Sequence, residues 1–585
     1  MKTRWQAFSN GHWLQVWELR QRRVEEAGLW RPISLLLCGM ALLLGIQNPL
    51  LYGMAPGFDA SLFAAMGKMW ADGDVLYRDM LDIKGPVIFL LDAIGYKLGG
   101  FPGMALLETA LLAWGLNNSY RALALLGIAP LARLAALLGG VSLCGYRYYY
   151  GNMTEDYTLC LALIAQLPFV RMLVAGRFSW RQAWLPALTF GLIAMMRLNN
   201  GAFWGAWYAT LFLGWCWQGR WLDGAKLFVS ALLGLAVVAG PLLGYFWQQG
   251  VLESFWYYSF AIFMGQSYGS GFSPLVGSVG LLRTGLILLL PMALYVLHRW
   301  HHDEPPQGPA PQGPAVGRSL VAVMLFGALF GVIANSVSGH IFDHYDQLYL
   351  AFIPLPLALV IEAVRRQWGE CNPFVTLGCM TLVGWGVYLV VPHLLFTWTR
   401  FEWPMAQVAR VLAVSLGVAL LIALGVAALV RGATGRRWLT RLVAIGFWLA
   451  PLALLGYSAV IGTHTGRPFG ESGRQQIAQI RAETTPDERI WVDGTMPQFY
   501  VWTDRKAASA YLFFDNVHPP FDVKARVLED IQRVQPTFIV IRKKRLEQYK
   551  ADAASFPPSQ QAFYRYVFAH YQQVQPGLFK RQATR

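Results

Sequence analysis

The sequence predicts a polytopic α-helical membrane protein that ends in a small α/β domain. Three observations carry that reading. Of the 585 residues, 55% are hydrophobic and only 14% are charged, whereas a soluble domain carries about 25% charged residues. The apolar residues fall in long runs, and about thirteen of these approach the roughly 20 residues that a spanning helix needs. After Ile461 the composition changes, and short apolar runs alternate with charged ones.

The candidate spans cover approximately 32–52, 103–121, 131–147, 157–175, 183–198, 200–217, 227–247, 276–297, 318–336, 347–364, 374–393, 407–430 and 441–461. An N-terminal arm, 1–31, precedes them and holds Lys2, Arg4, Arg20, Arg22, Arg23 and Arg31. Lys and Arg concentrate in short cytoplasmic loops, so this arm is expected inside. Alternation then places Arg171, Arg177 and Arg181, the pair Arg365 and Arg366, and the group from Arg431 to Arg441 inside as well. That agreement requires the run 86–98 not to cross. It is short, carries Asp92 and Lys97, and reads as an interfacial or re-entrant helix.

Several function classes drop out. The net charge of +15 follows from topology and anionic headgroups, so no nucleic-acid partner is expected. The six Cys show no CxxC or Cys/His spacing, which indicates neither a metal centre nor a disulfide framework. The N-terminus lacks the pattern of a signal peptide. No nucleotide-binding loop and no internal repeat is visible. Residues 303–317 read as a Pro/Gly linker.

The C-terminal region, 462–585, should form the α/β domain. RIWVDG (489–494) and TFIVIRKK (537–544) read as buried strands, and 523–534 has the spacing of an amphipathic helix. An odd span count puts this region on the outer, extracytoplasmic face, and 32–461 forms the membrane domain.

The first outer loop, 53–102, is where chemistry is expected. Between Phe58 and Pro86 lie Asp59, Asp72, Asp74, Asp79 and Asp82 with Lys68, Arg78 and Lys84. Charge beside a bilayer is costly unless it pairs, meets water or acts on a substrate. Phe58, Leu62, Ala65 and Met69 share one face, which suggests an amphipathic helix lying on the membrane with Asp59 at its start. Such an Asp is either a cap for free amides or a general base, and position alone favours the cap. Lys84 precedes Gly85 and Pro86, a helix-starting pair. It suits a phosphate about as well as a headgroup anchor.

Further candidates follow along the chain. Glu155 and Asp156 open a span, either as first-turn acids or, for Glu155, as the partner of Asp59 in a carboxylate pair. Arg197, beside Asn199 and Asn200, sits at an outer helix end against the charge rule, which points to an anion partner. His340, Asp343, His344, Tyr345 and Asp346 form a polar cluster. It fits a hydrogen-bonding wall or a phosphate contact, and it leaves a divalent metal open.

Taken in series, these pieces resemble the GT-C membrane glycosyltransferases, of the superfamily that holds protein O-mannosyltransferases and lipid A aminoarabinose transferases (glycosyltransferase family 39-like). The resemblance rests on a span followed by Asp59, then DG-x-x-x-Y-x-D-x-x-D-x-KGP ending at Pro86, then GN-x-TE (Gly151–Glu155), Arg-x-Asn (Arg197–Asn199), His344–Tyr345 and a final α/β domain. It spans residues 30–540. It implies a polyprenyl-phosphate sugar donor, used at the outer face of the cytoplasmic membrane, with a glycan, lipid or protein as acceptor. Asp59 would be the catalytic Asp, with Glu155 beside it. Lys84, Arg197, His344 and Tyr345 would hold donor phosphate, and Tyr77, Asp79, Asp82, Asn152 and Asn199 would contact substrate. No cofactor is otherwise implied. The sequence departs from many relatives, which have an acidic pair at Asp59–Ala60 and KPP at Lys84–Pro86. The rival readings are a transporter or lipid flippase, and a non-catalytic envelope assembly protein. Against the first, charge gathers in one outer loop rather than near the bilayer midplane.

Overall fold

Between Gly85 and Leu125 the chain makes the reversal around which the loop 53–102 is built. Helix α3 (Pro86–Leu125) is interrupted at Gly99 and Gly100, and Gly100 has φ +65°, a conformation that glycine adopts freely. The two halves fold onto each other: a Cβ on Gly103 would lie 2.1 Å from the Gly95 carbonyl oxygen. The first half is thus a separate short helix, about 20 Å long at 1.5 Å per residue, shorter than a hydrocarbon core of about 30 Å. The separate helix expected over 86–98 is present.

This computed structural model describes residues 33–140, 151–261, 314–337, 347–367, 470–512 and 523–582, apart from 43, 47, 131, 135, 138–139 and 494–495. The expected spans at 276–297, 374–393, 407–430 and 441–461, the linker 303–317, the arm 1–31, and His344 and Tyr345 lie outside the described residues.

The membrane part is helical, because a helix satisfies its own backbone hydrogen bonds without water. Helix α1 (Ile33–Leu42) leads to α2 (Phe58–Ala71) and α3. Next come α4 (Thr154–Ala175), α5 (Trp180–Arg197), α6 (Ala202–Trp217) and α7 (Trp221–Gln248), then the short α8 (Leu252–Trp256). Three more follow: α9 (Pro314–Val337), α10 (Gln347–Leu350) and α11 (Pro354–Gln367). Among the described residues, four helices are long and apolar enough to cross a membrane: Pro86–Leu125, Thr154–Ala175, Trp221–Gln248 and Val316–Ala334. Helix α4 is buried along nearly its whole length, and α3 and α5 flank it.

Helix α2 corrects one expectation. The sequence suggests an amphipathic helix on the membrane surface, yet every residue from Ala60 to Met69 is buried. The first half of α3 covers one side of it, with Gly67 so close to Asp92 that a Cβ would lie 2.2 Å from the Asp92 Cβ. The C-terminal region covers another side.

That region forms five strands, β1 (Arg489–Val492), β2 (Lys506–Ala507), β3 (Phe538–Val540), β4 (Tyr571–Gln575) and β5 (Leu578–Arg581). They make one sheet in the order β2-β1-β3-β5-β4. β1 pairs in parallel with β2 and β3, and β5 is antiparallel to β3 and β4. Parallel neighbours need crossover connections. These run through Gln498–Thr503 between β1 and β2, and through Val523–Val534 between β2 and β3. The helix expected at 523–534 has those bounds. Trp491, Ile539, Phe563, Tyr564 and Val567 form the core of this unit.

Ion pairs seat the sheet on the loop 53–102. Arg489 pairs with Asp74, and Lys506 lies 3.7 Å from Asp74 and 3.9 Å from Asp72. Lys68, on α2, bonds Asp72 at 2.8 Å and lies 3.4 Å from Asp504, while Tyr96 donates to Asp504 at 3.1 Å. Burial works against the Lys68 charge, but Asp72 and Asp504 outweigh it and raise its pKa. The Leu81 amide also donates to the Ala510 carbonyl at 2.9 Å.

Candidate functional site

Asp59 stands in the first turn of α2, half-buried. It is not the cap: Gly57 holds that position, and no side chain caps the helix. Among the described residues the Asp59 carboxylate accepts no hydrogen bond and joins no ion pair. The structural use of this residue that position alone favours is therefore absent.

Lys84 is held by its backbone. Its amide donates to Asp82 Oδ1 at 2.8 Å, and its carbonyl accepts from the Tyr77 hydroxyl at 2.9 Å. The next amide, of Gly85, donates to the Met196 carbonyl at 3.0 Å. Pro86 then opens α3 at its first position, with Gly85 as the cap. With the backbone fixed, the ammonium rests 5.9 Å from the centre of the Phe63 ring, within range of a cation–π contact. Phe63 lies four residues after Asp59, so the two share one face of α2.

Asp82 registers both neighbours. Burial raises its pKa, the Lys84 charge opposes that rise, and the Asp59 charge adds to it. Asp82 therefore lies within the fields of both Asp59 and Lys84. Asp79 has a local duty: it accepts the Val75 amide at 2.8 Å and the Arg78 guanidinium at 3.0 Å. Tyr77 is 2% exposed, has φ +67°, and takes a hydrogen bond from Ser259 at 3.0 Å. Its hydroxyl serves the Lys84 backbone.

The second half of the site comes from α4 and α5. Arg197, the last residue of α5, pairs with Glu155 in the first turn of α4 at 2.5 Å. Thr154 donates to the other Glu155 oxygen at 2.8 Å. Glu155 is buried, and its anion is the partner that the odd placement of Arg197 demanded. The Gly85–Met196 bond joins this half to the first, because Met196 directly precedes Arg197. Asn199 is half-buried in the turn Leu198–Gly201. Asn152 is fully buried with φ +62°. Its Nδ2 donates to the Ala60 carbonyl at 3.0 Å and to Asp92 Oδ2 at 3.1 Å, and its backbone amide donates to Glu108 Oε2 at 2.9 Å.

The structure thus brings together Asp59, Asp82 and Lys84, and ties them through one backbone bond to Arg197 and Glu155. Among the described residues no group of three or more His, Cys, Asp or Glu could hold a metal ion. Sequence reasoning missed Phe63 under Lys84, and also Asp92 and Glu108 around Asn152. An aromatic four residues after the candidate base was a usable signal for the first. A Glu in an apolar run was one for Glu108.

The architecture has the fold of a solved membrane protein, ArnT. The chain is similar to the crystal structure of ArnT from Cupriavidus metallidurans bound to undecaprenyl phosphate, with a TM-score of 0.53 and 15% identity over 95% of this chain and 98% of that one. It is also similar to the apo form of the same enzyme, with a TM-score of 0.52 and 16% identity over 91% and 95%. At such identities the likeness is one of fold. No protein-family model and no curated sequence matches the chain.

Proposed function

We propose that the protein is a glycosyltransferase that moves a sugar from a polyprenyl-phosphate carrier to an acceptor at the outer face of the cytoplasmic membrane. The observation that carries this reading is the Asp59 carboxylate, without a partner among the described residues, on the α2 face where Lys84 rests. A half-buried carboxylate with no structural partner suits a general base. The ArnT fold supports the carrier class, since that neighbour was crystallised with undecaprenyl phosphate.

In the proposed reaction Asp59 takes the proton from an acceptor hydroxyl or amine as its lone pair attacks the anomeric carbon. The bond from that carbon to the phosphate oxygen breaks, and the configuration inverts. The leaving phosphate keeps the bonding electrons. Lys84 and Arg197 meet its growing charge, worth most where water is excluded. Glu155 holds Arg197 in place. Tyr77 and Asp82 fix the Lys84 backbone. Asn199 remains a candidate substrate contact. The C-terminal region, 462–585, seats the loop that bears Lys84 and belongs on the outer face.

The test is a membrane lipid extract fed with radiolabelled sugar donors, with and without the protein. Label moving from a polyprenyl phosphate to a new acceptor only when the protein is present supports the reading. No protein-dependent transfer across the donor panel rejects it.

A further inference from the structure

We infer that Asn152 is a positioning residue: its side-chain amide holds the first turn of α2, and so the Asp59 carboxylate, in register with the base of α3. This rests on the reading of Asp59 as the base.

Asn152 is a hub between three elements. Its Nδ2 faces two acceptors, the Ala60 carbonyl at 3.0 Å and Asp92 Oδ2 at 3.1 Å. Two acceptors on one side fix which end of the amide points there. Ala60 follows Asp59 directly, so the bond acts on the turn that carries the base. Asp92 is itself gripped by the Tyr157 hydroxyl at 3.3 Å, on α4. Glu108 accepts the Asn152 backbone amide at 2.9 Å and Asn48 Nδ2 at 3.2 Å. Asn152, Asp92 and Glu108 are at most 1% exposed.

The backbone supports this assignment. Asn152 sits at φ +62°, a left-handed conformation that is unfavourable for most residues and that Asn tolerates better. A bond deep in the protein keeps its geometry because its alternatives are unsatisfied groups. A displacement of about 1 Å at a reacting group can cost on the order of a hundredfold in rate, so a bond to the neighbouring carbonyl has leverage on catalysis.

Two variants separate positioning from mere packing. Asn152→Gly accepts the left-handed backbone, keeps the amide for Glu108, and deletes only the side chain. Transfer should fall by about tenfold or more, while undecaprenyl phosphate affinity in nanodiscs stays at the wild-type value. The double swap Asp92→Asn with Asn152→Asp rebuilds the 92–152 bond but turns a carboxylate toward the Ala60 carbonyl. It should recover the thermal midpoint lost in Asn152→Asp and leave transfer low. Wild-type transfer in Asn152→Gly, or full recovery of transfer in the swap, overturns the inference. So does a loss of undecaprenyl phosphate binding that parallels the loss of transfer. Asp59→Asn is measured alongside: if it transfers normally, it is the base assignment that fails.

Discussion

The amide of Gly85 donates to the carbonyl of Met196 at 3.0 Å, and this bond sets Lys84 and Arg197 on two strands of backbone that touch. The contact is close enough that a Cβ on Gly85 would lie 2.2 Å from the Met195 carbonyl oxygen. Both demands, a free N–H and no side chain, select glycine. The glycine between Lys84 and Pro86 therefore has a structural use.

Gly85→Ala should force the two segments apart. Overpacking of this kind costs about 1–3 kcal/mol. The thermal midpoint should drop, and undecaprenyl phosphate should bind more weakly. Gly85→Pro removes the N–H as well and should weaken binding further. Lipid-phosphate titration in nanodiscs checks both, and unchanged affinity in both variants would show that the contact does not position Lys84.

Lys84→Ala and Arg197→Ala should both weaken undecaprenyl phosphate binding, but for separable reasons. Lys84→Ala removes a cation that rests by the Phe63 ring and lies in the field of the buried Asp82. Arg197→Ala breaks the ion pair of Glu155, a buried anion, and breaking such a pair costs about 3–5 kcal/mol. Adding Glu155→Gln should recover much of that stability without restoring affinity. Recovery of both would make Arg197 a structural residue alone.

Acid should act on the turn at Asp79. Burial works to raise its pKa, yet the Arg78 bond and the Val75 amide outweigh burial and lower it. A lowered carboxylate contributes stability above its unfolded value of about 3.9, and that contribution is lost as pH falls through the folded value. Arg78 is largely exposed, so the contribution is at most about 1 kcal/mol. The difference in thermal midpoint between wild type and Asp79→Asn should shrink between pH 7 and pH 3. A difference that grows on acidification would contradict the assignment.

Much of the site was legible because its signals are local. Lys84 before Gly85 and Pro86 announces a helix start, and the helix over 523–534 follows from periodicity alone. The burial of α2 was not legible. Its apolar residues show a clear stripe, but the helix Gln498–Thr503 and the adjoining Asp504, far along the chain, pack on it as well. The cap reading of Asp59 failed for a similar reason, since Gly57 takes that position without any side-chain bond. The Glu155–Arg197 pair was half legible: the odd placement of Arg197 demanded an anion, but only the fold chooses Glu155. Nothing in the sequence signals Asn152 as a bridge, because its partners Ala60, Asp92 and Glu108 meet only through tertiary packing.

The central claim is that Asp59 removes the acceptor proton. Asp59→Asn keeps size and hydrogen-bonding capacity and deletes the basic charge. The measurement is transfer of radiolabelled sugar from polyprenyl phosphate in proteoliposomes, alongside undecaprenyl phosphate affinity in the same preparation. The account predicts wild-type affinity with transfer reduced to background. Near-normal transfer by a well-folded Asp59→Asn protein would contradict it.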